Sequence, residues 1–472
     1  GGFSNNVVSP TGYGALGGAI YNNSAIGDIS AIGDITANFS SNSISTNNYG
    51  HGGAIYNRGT IGDVTGNFTN NHVEGSYYMV GGAIYTEGGT WGNIIGDFTG
   101  NYASASNGEA YGGAIYAYNS TFGNIKGDFT GNYGSANSAY GGAYGGAIYA
   151  YNSNLGNIEG DFTGNYIQNE TEMAQGGAIY NSLYVSSYTQ PIEDENEVKN
   201  AVYFNEYSGP LKINDSNFTD NYAQSSGSYA YGGAIYNNFY FYNGIQVDYV
   251  PVEYEDDYLQ NGYVYMTDEE LQQKIIDVRT QTAMTITNSN FINNHADFDS
   301  GRAFGGAIYS TGDVNIIAND GKTSLFSGNT ANDKSNAIYM EASTQETYYE
   351  GGEDVDWLFP STLNLSAVDN GTIQFDDGID GNGYNINVYG DGTGVVKFNN
   401  LVEHVTNFTL GTNSVTHLGL NSKVYAENMN ITTSAIPSSG AVSSPIITVD
   451  VEVDRDNNTV NTGQIYVDND VE

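Results

Sequence analysis

Two short motifs recur in phase along most of the chain, and this repetition limits the fold more than any other feature. Gly-Gly-Ala-Ile-Tyr occurs eight times, and from Phe39 onward eight copies of Phe-x-x-Asn alternate with it. The isoleucines of the first motif are Ile20, Ile55, Ile84, Ile115, Ile148, Ile179, Ile235 and Ile308. The phenylalanines of the second are Phe39, Phe68, Phe98, Phe129, Phe162, Phe218, Phe291 and Phe326. A regular unit therefore spans roughly thirty residues.

The segments between the glycines and asparagines are too short and too rich in β-branched residues for helices. One such unit cannot bury its apolar face alone, but stacked units can. The sequence therefore predicts an all-β parallel β-helix, in which equivalent residues of successive coils lie about 4.8 Å apart. Asparagines should form ladders at the corners, and Gly-Gly should supply corners with positive φ or close backbone approach. The predicted interior residues are Ile55, Ile84, Ile115, Ile148, Ile179, Phe68, Phe98, Phe129 and Phe162.

The spacing of the motifs divides the chain into three regions of one solenoid. Residues 1–180 are regular coils, residues 181–360 are coils with three insertions, and residues 361–472 are C-terminal coils without the signature motifs. The insertions lie at about 181–212, 237–285 and 340–360. Each one begins directly after the Ile-Tyr motif. Loops that leave the same corner of a solenoid lie on one flank, so this flank is the expected contact surface.

The insertions are acidic and rich in aromatic residues, which are favoured in binding interfaces. The predicted binding residues are Tyr184, Tyr188, Tyr240, Tyr242, Tyr249, Tyr254, Tyr258, Tyr348, Tyr349 and Trp357. The alternative is that these aromatic residues fold each insertion down onto the solenoid. Thr267 and Glu270 form the pattern of a helix capping box. This predicts one short helix with Leu271, Ile275 and Val278 on its apolar face, which is most simply a packing element.

Charge and composition exclude several classes of function. The chain has 53 acidic and 12 basic residues and a net charge of −41, so nothing in it would neutralise a nucleic-acid backbone. No apolar stretch is long enough for direct membrane insertion. Cysteine is absent, which excludes disulfides and thiolate sites. The few basic residues are scattered, so a polysaccharide-degrading enzyme is disfavoured and no catalytic residue is predicted.

Calcium is the one cofactor that the sequence leaves open. Asp376 and Asp380 lie in a segment that resembles the start of an oxygen-ligand loop, but it lacks the final glutamate of an EF-hand. Asp450, Glu452 and Asp454 alternate with apolar residues between Ile447 and Asp456. The alternation predicts a half-buried strand, and its acidic row is either a cation site or a solvated face. The histidines show no metal-ligand spacing.

The interleaved Gly-Gly-Ala-Ile and Phe-x-x-Asn copies over residues 17–339 resemble the passenger domains of the polymorphic outer-membrane protein family. They resemble those of other bacterial autotransporter adhesins more loosely. The resemblance implies a right-handed parallel β-helix, exported and displayed at the bacterial surface, with a role in adhesion or self-association. The cysteines common in that family and its C-terminal membrane barrel are missing from this sequence, which puts the mode of anchoring in doubt.

Three functions remain open at this point. The first is a non-catalytic, extracellular adhesin whose partner is a host or neighbouring-cell surface protein or glycan, or a second copy of itself. The second is a structural subunit of an extracellular filament, because unpaired coil edges can stack end to end. The early start of the repeat, at Gly17, leaves little room for a cap and favours this option somewhat. The third is a polysaccharide-degrading β-helix enzyme.

Overall fold

The computed structural model is a parallel β-helix, which confirms the predicted fold class. It describes residues 1–10, 14–23, 31–137, 141–194, 197–204, 209–245, 250–251, 264–299, 301–349, 357–432, 434–435, 442–454 and 459–468. Equivalent strands of successive coils pair in parallel and in register, so Ile84 pairs with Ile115 and Ile115 with Ile148. Like residues therefore lie on top of one another through the coils that carry the two motifs.

One wall is a 13-stranded sheet that carries the Phe motif, here called the phenylalanine sheet. Its strands, in order, are Gly2–Ser4, Asn38–Ser40, Phe68–Thr69, Phe98–Thr99, Phe129–Thr130, Phe162–Thr163, Asn217–Thr219, Asn290–Ile292, Thr323–Ser327, Thr372–Phe375, Val395–Phe398, Val415–Leu418 and Ile446–Val449. The rings of Phe68, Phe98 and Phe129 stack with centroids 4.7 Å apart. They are fully buried, as predicted for the interior.

A second wall contains two ladders of strands. The isoleucine ladder holds Ile20–Asn22, Ile55–Asn57, Ile84–Glu87, Ile115–Tyr118, Ile148–Tyr151, Ile179–Asp194, Ile235–Ile245, Ile308–Ser310, Ile338–Glu341 and Ile379–Asn382. The other ladder holds Ile35–Thr36, Val64–Thr65, Ile94–Ile95, Ile125–Lys126, Asn157–Glu159, Lys212–Asn214, Met284–Thr287, Val314–Ala318, Thr362–Ala367 and Tyr384–Gly390. Strands Leu401–Leu410 and Lys423–Ile431 span both ladders, and Gln464–Val467 pairs with the latter.

Smaller sheets complete each coil. A ten-stranded sheet holds Val7–Val8, Ser43–Thr46, His72–Gly75, Tyr102–Ala105, Tyr133–Ala136, Tyr166–Asn169, Tyr222–Ser225, His295–Phe298, Thr330–Ala331 and Lys334–Ser335. An eight-stranded sheet holds Ala15–Leu16, Tyr49–His51, Tyr78–Val80, Glu109–Tyr111, Ala143–Tyr144, Ala174–Gln175, Ala230–Tyr231 and Ala303–Phe304. A three-stranded sheet holds Ala31–Ile32, Thr60–Ile61 and Thr90–Trp91.

The asparagines of the Phe-x-x-Asn motif form a buried amide ladder at one corner. The Oδ1 atom of Asn101 accepts hydrogen bonds from the backbone N and the Nδ2 of Asn71, at 2.9 and 3.0 Å. The same pair of bonds links Asn101 to Asn132. Each asparagine thus satisfies the backbone at the turn, where an unpaired polar group would be costly.

The two glycines of the first motif serve different purposes at another corner. Gly112 has a φ of 60°, a conformation that residues with a Cβ rarely adopt. Gly113 has no such φ, but a Cβ on it would lie 2.1 Å from the carbonyl oxygen of Gly146 in the next coil. The predicted need for glycine is therefore confirmed at both positions.

The three insertions meet in a single extension of the isoleucine ladder, here called the flank sheet. Its strands pair in the order Val264–Met266, Glu197–Phe204, Ile179–Asp194, Ile235–Ile245, Ser343–Tyr349, Trp357–Phe359. A short strand, Val250–Pro251, also pairs with Ile179–Asp194. Helix α1 (Asp268–Gln281) begins with the predicted capping box and buries Leu271, Ile275 and Val278 against this sheet.

The predicted half-buried strand between Ile447 and Asp456 is wrong in two respects. The segment forms two strands, Ile446–Val449 and Val451–Asp454, and the second pairs antiparallel with Thr459–Thr462 rather than with a coil. The apolar side chains of Ile447, Val449 and Val451 are 40, 44 and 59% exposed. Strict alternation predicted a buried face, but no described element covers it. A further short pair of strands is Ser434–Ala435 and Val442–Ser443.

Candidate binding surface

The tyrosine of the Ile-Tyr motif points outward and forms a continuous aromatic ladder. Successive residues of a strand face opposite sides, so an interior isoleucine places the next residue outside. Tyr85, Tyr116 and Tyr149 stack with ring centroids 5.0 Å apart. The same ladder includes Tyr56, Tyr180, Tyr236, Tyr309 and Tyr339.

This tyrosine ladder is largely buried although it lies outside the solenoid. The chain bends at the Gly-Gly corner, so the outer face of the eight-stranded sheet faces the tyrosine ladder. The ring of Tyr111 packs edge-on against that of Tyr149, with centroids 4.9 Å apart. Tyr116 is only 6% exposed. Burial raises the pKa of Tyr339, a member of the ladder, to about 12. The ladder is therefore a second packed layer on the outside of the solenoid.

Carboxylates border this layer and bind the hydroxyl groups. Tyr85 Oη donates to Glu87 Oε2 at 2.8 Å, and Tyr111 Oη donates to Glu109 Oε2 at 2.8 Å. The Tyr309 hydroxyl donates to Glu341 in the same way. Carboxylates therefore border the aromatic layer at Glu87 and Glu109 near one end of the ladder and at Glu341 near the other.

The flank sheet extends this aromatic face away from the solenoid. Along strand Ile179–Asp194, Tyr184 lies on the same face as Tyr180, and its ring stacks on Tyr240 with centroids 5.5 Å apart. Tyr242, two residues beyond Tyr240, lies on that face as well. All three side chains are half-buried. We call Tyr184, Tyr240 and Tyr242 the flank tyrosines.

The opposite face of the flank sheet is apolar and covered by helix α1. Leu183, Val185, Phe239 and Phe241 are all buried and form one cluster with the apolar side of the helix. The interpretation that aromatic residues fold an insertion onto the solenoid applies to this face, and the interpretation that they bind a partner stays a prediction for the other face. The phenylalanines fold the insertion down, and the flank tyrosines remain on the outer side.

The other predicted binding residues are only partly located. Tyr188, Tyr348, Tyr349 and Trp357 belong to strands of the flank sheet, and the structure describes their backbone only. Tyr249, Tyr254 and Tyr258 lie outside the described residues. The prediction that these residues bind a partner stays a prediction.

The tyrosine ladder itself was missed as a candidate surface. Its signal was present in the strings Ile115-Tyr116-Ala117-Tyr118 and Ile148-Tyr149-Ala150-Tyr151, where aromatic residues alternate with small or apolar ones. The tyrosine recurs as regularly as the isoleucine before it, so the same alternation that places the isoleucine inside places the tyrosine outside. The same holds for Tyr102, Tyr133, Tyr166 and Tyr222, which stack on the outer face of the ten-stranded sheet.

The residues considered for calcium have other partners and do not converge. Asp380 Oδ1 lies 2.7 Å from His404 Nδ1, while Asp376 Oδ1 accepts from Asn399 Nδ2 at 2.7 Å. Asp450 lies between the strands Ile446–Val449 and Val451–Asp454, Glu452 lies in the second of them, and both residues are exposed. For Asp454 the structure describes the backbone only. Within the described residues, no three acidic or histidine side chains are grouped to hold a metal ion.

His51 introduces a pH-sensitive point into the aromatic layer. Its ring lies 4.6 Å from that of Tyr85, and neither ring nitrogen has a hydrogen-bond partner among the described residues. Burial lowers the pKa of His51 to about 4, against 6.5 for an ordinary histidine, although Glu87 opposes the shift. The folded state therefore holds the neutral ring, and protonation favours unfolding.

We expect the stability near His51 to fall as the pH falls from 6.5 toward 4, reaching a loss of about 3 kcal/mol. Above pH 6.5 both states are neutral and the effect vanishes. Replacing His51 by Phe should remove this acid sensitivity. Hydrogen exchange of strand Tyr49–His51 at pH 7 and pH 4.5 measures it, and an unchanged pH dependence in the variant would contradict the assignment.

No family model, curated protein or solved structure matches this chain. Among the described residues, no helix has the length and apolar character needed to cross a membrane.

Proposed function

We propose that this protein is an exported, extracellular β-helix protein, displayed at a bacterial cell surface, that acts in adhesion or self-association without catalysis. The flank sheet is its contact surface, and its outer face carries the flank tyrosines. The observation that supports this most is the two-sided construction of the flank sheet. One face packs on helix α1, whereas the other carries the half-buried stack of Tyr184 on Tyr240, with Tyr242 on the same face.

The chemistry of this face suits a protein or glycan surface, or a second copy of the chain. Tyrosine offers a large apolar contact area and a hydroxyl at low entropic cost, which suits recognition of mixed polar and apolar surfaces. The rigid solenoid holds the face in place, so little order has to be gained on binding. The net charge of −41 disfavours nucleic acid and anionic membranes as partners.

We expect the triple variant Tyr184→Ser, Tyr240→Ser, Tyr242→Ser to lose most binding in an adhesion assay, about tenfold or more, because aromatic anchors dominate interface energies. The measurement compares beads coated with the chain for attachment to intact epithelial cells, to bacterial cells and to a surface of the same chain. Circular dichroism should show unchanged β-structure, since these side chains are only half-buried.

The matched control is Tyr133→Ser, Tyr166→Ser, Tyr222→Ser. These tyrosines form a comparable half-buried stack on the ten-stranded sheet, away from the flank. This control should bind like the unaltered chain. Equal loss in both variants, or no attachment of the unaltered chain to any of the three surfaces, would reject the flank sheet as the contact surface.

A further inference from the structure

The cross-section of the solenoid narrows abruptly after Phe304. The eight-stranded sheet ends with Ala303–Phe304, and the ten-stranded sheet ends with Thr330–Ala331 and a strand that folds back on it. The connection from Phe326 to Ile338 is shorter than in any earlier coil, so this coil omits a strand of the eight-stranded sheet. The strand Ala303–Phe304 is therefore the edge strand of its sheet, and it overhangs the smaller coil that follows. We call this overhang the ledge.

A long open cleft lies along this ledge. Two adjoining hollows, of about 590 and 630 Å³, share Gly301, Arg302, Phe304 and Tyr339 as lining residues. One hollow continues to Tyr229 and Phe298, and the other reaches past Asp380 to His404. Together they form one trough that is open at its surface. We call it the step cleft.

Aromatic rings form one wall of the step cleft. The Phe304 ring lies 4.5 Å from Tyr339 and stacks on Tyr231 at 5.7 Å. Tyr229, which is 44% exposed, continues this wall with its ring 6.3 Å from that of Phe298. Aromatic side chains along an open trough suit a ligand that has apolar surface of its own.

The remaining lining carries charged groups of both signs. Glu341, Asp380 and Glu403 supply carboxylates, while Arg302 and Lys334 supply donors, and all of these charged residues are exposed or half-exposed. Asp380 is paired with His404 at 2.7 Å. A planar guanidinium donates and a carboxylate accepts in forked geometry, which suits neighbouring hydroxyl groups on one ligand. The backbone at Gly381, on the floor of the cleft, is closely packed, because a Cβ at this position would lie 2.5 Å from the Tyr384 ring.

We propose that the step cleft is a binding site for a neutral oligosaccharide. Sugar rings combine apolar faces with a fringe of hydroxyls, which matches the aromatic wall and the mixed donors and acceptors. The net charge of −41 repels an anionic glycan. A neutral ligand with hydroxyl groups can use the donors of Arg302 and Lys334 as well as the carboxylates, whereas a cationic ligand would use the carboxylates alone. This site is separate from the flank tyrosines and does not depend on the proposed adhesive role.

A peptide added as a further strand fits the ledge less well. The edge strand Ala303–Phe304 has only two residues, so it offers few backbone partners. Beyond it, the backbone N of Gly305 already donates to Asn336 Oδ1 at 3.1 Å, and that of Gly306 donates to the Asn336 carbonyl at 2.9 Å. These bonds occupy the donors that an added strand would use.

The test titrates the chain with cellohexaose, maltohexaose and N-acetylchitohexaose, and with hexagalacturonate and hexalysine as charged comparators, by calorimetry. We expect at least one neutral hexasaccharide to bind and to be recovered intact. Phe304→Ala and Arg302→Gln should each weaken this binding about tenfold, as loss of an anchor or a paired donor does. Tyr389→Ala, an exposed tyrosine outside the cleft, should leave it unchanged.

Arg302 is exposed, so its variant tests the site without endangering the fold. Absence of binding by all three neutral sugars would overturn the proposal. So would binding confined to hexagalacturonate or hexalysine, cleavage of the sugar, or unchanged affinity in both cleft variants. The flank triple variant should bind the sugar normally, which separates this result from the adhesion test.

Discussion

Replacing Ile115 by Asp is expected to destabilise the surrounding coils by about 4 kcal/mol or more, because it buries a charge with no partner. Ile115 is fully buried and lies between Ile84 and Ile148 in the isoleucine ladder. The carboxylate would have isoleucine above and below it. Either the coil opens to water at this point or the acid becomes protonated, and both cost free energy.

Hydrogen exchange of strands Ile84–Glu87, Ile115–Tyr118 and Ile148–Tyr151 measures this loss locally, since solenoids need not unfold in one step. Ile95→Asp is the matched control. Ile95 also lies in a paired strand of the same wall, but its side chain is 48% exposed. It should change stability by less than about 0.5 kcal/mol. Similar exchange in both variants would mean that Ile115 is not interior.

The second large effect is expected at Arg279, which fastens helix α1 to the solenoid. Its guanidinium Nε donates to Asp313 Oδ1 at 2.9 Å, and its other nitrogens donate to the carbonyls of Thr311 and Phe359. The Arg279 and Asp313 side chains are only 4 and 9% exposed. Arg279→Leu leaves the buried carboxylate unpaired and should cost about 3–5 kcal/mol.

This loss should be confined to the flank sheet and helix α1, whose amide hydrogen exchange is the measurement. Adding Asp313→Asn to Arg279→Leu should recover part of it, because the uncompensated charge is then removed while the Asp313 position still accepts from Thr362 N. Arg58→Leu is the control, since its ion pair with Glu87 is solvent-exposed and worth about 1 kcal/mol or less. Fast exchange spread along the whole rod would contradict a local role.

Much of the fold can be predicted from the sequence because successive coils of the solenoid carry the same two motifs. Once Phe68 and Phe98 are known to occupy equivalent positions, parallel pairing places them in contact without further information. The capping box at Thr267 and the apolar face of helix α1 are equally local signals. The departure of all insertions from one corner also indicated that they would be neighbours.

The tyrosine ladder and the step cleft were harder to predict because they depend on contacts between different elements. Nothing local shows that Tyr111 would pack on the Ile-Tyr ladder, since the angle at the Gly-Gly corner decides it. The step cleft arises from a missing strand, which a search for recurring residues overlooks. Asp377 was also not predictable from the repeat, because it lies outside the Phe-x-x-Asn motif. It ends the asparagine ladder by accepting a hydrogen bond from Asn329 Nδ2 at 2.8 Å.

Register between coils has a consequence for how long such a protein can be. Every regular coil offers its successor the same surface that it receives from its predecessor, as the identical pairing of Ile84, Ile115 and Ile148 shows. Excising or duplicating one whole unit therefore leaves each junction unchanged, and shifts the flank by about 4.8 Å along the axis. The length of the rod can thus be adjusted by recombination between repeats, without redesign of the flank sheet.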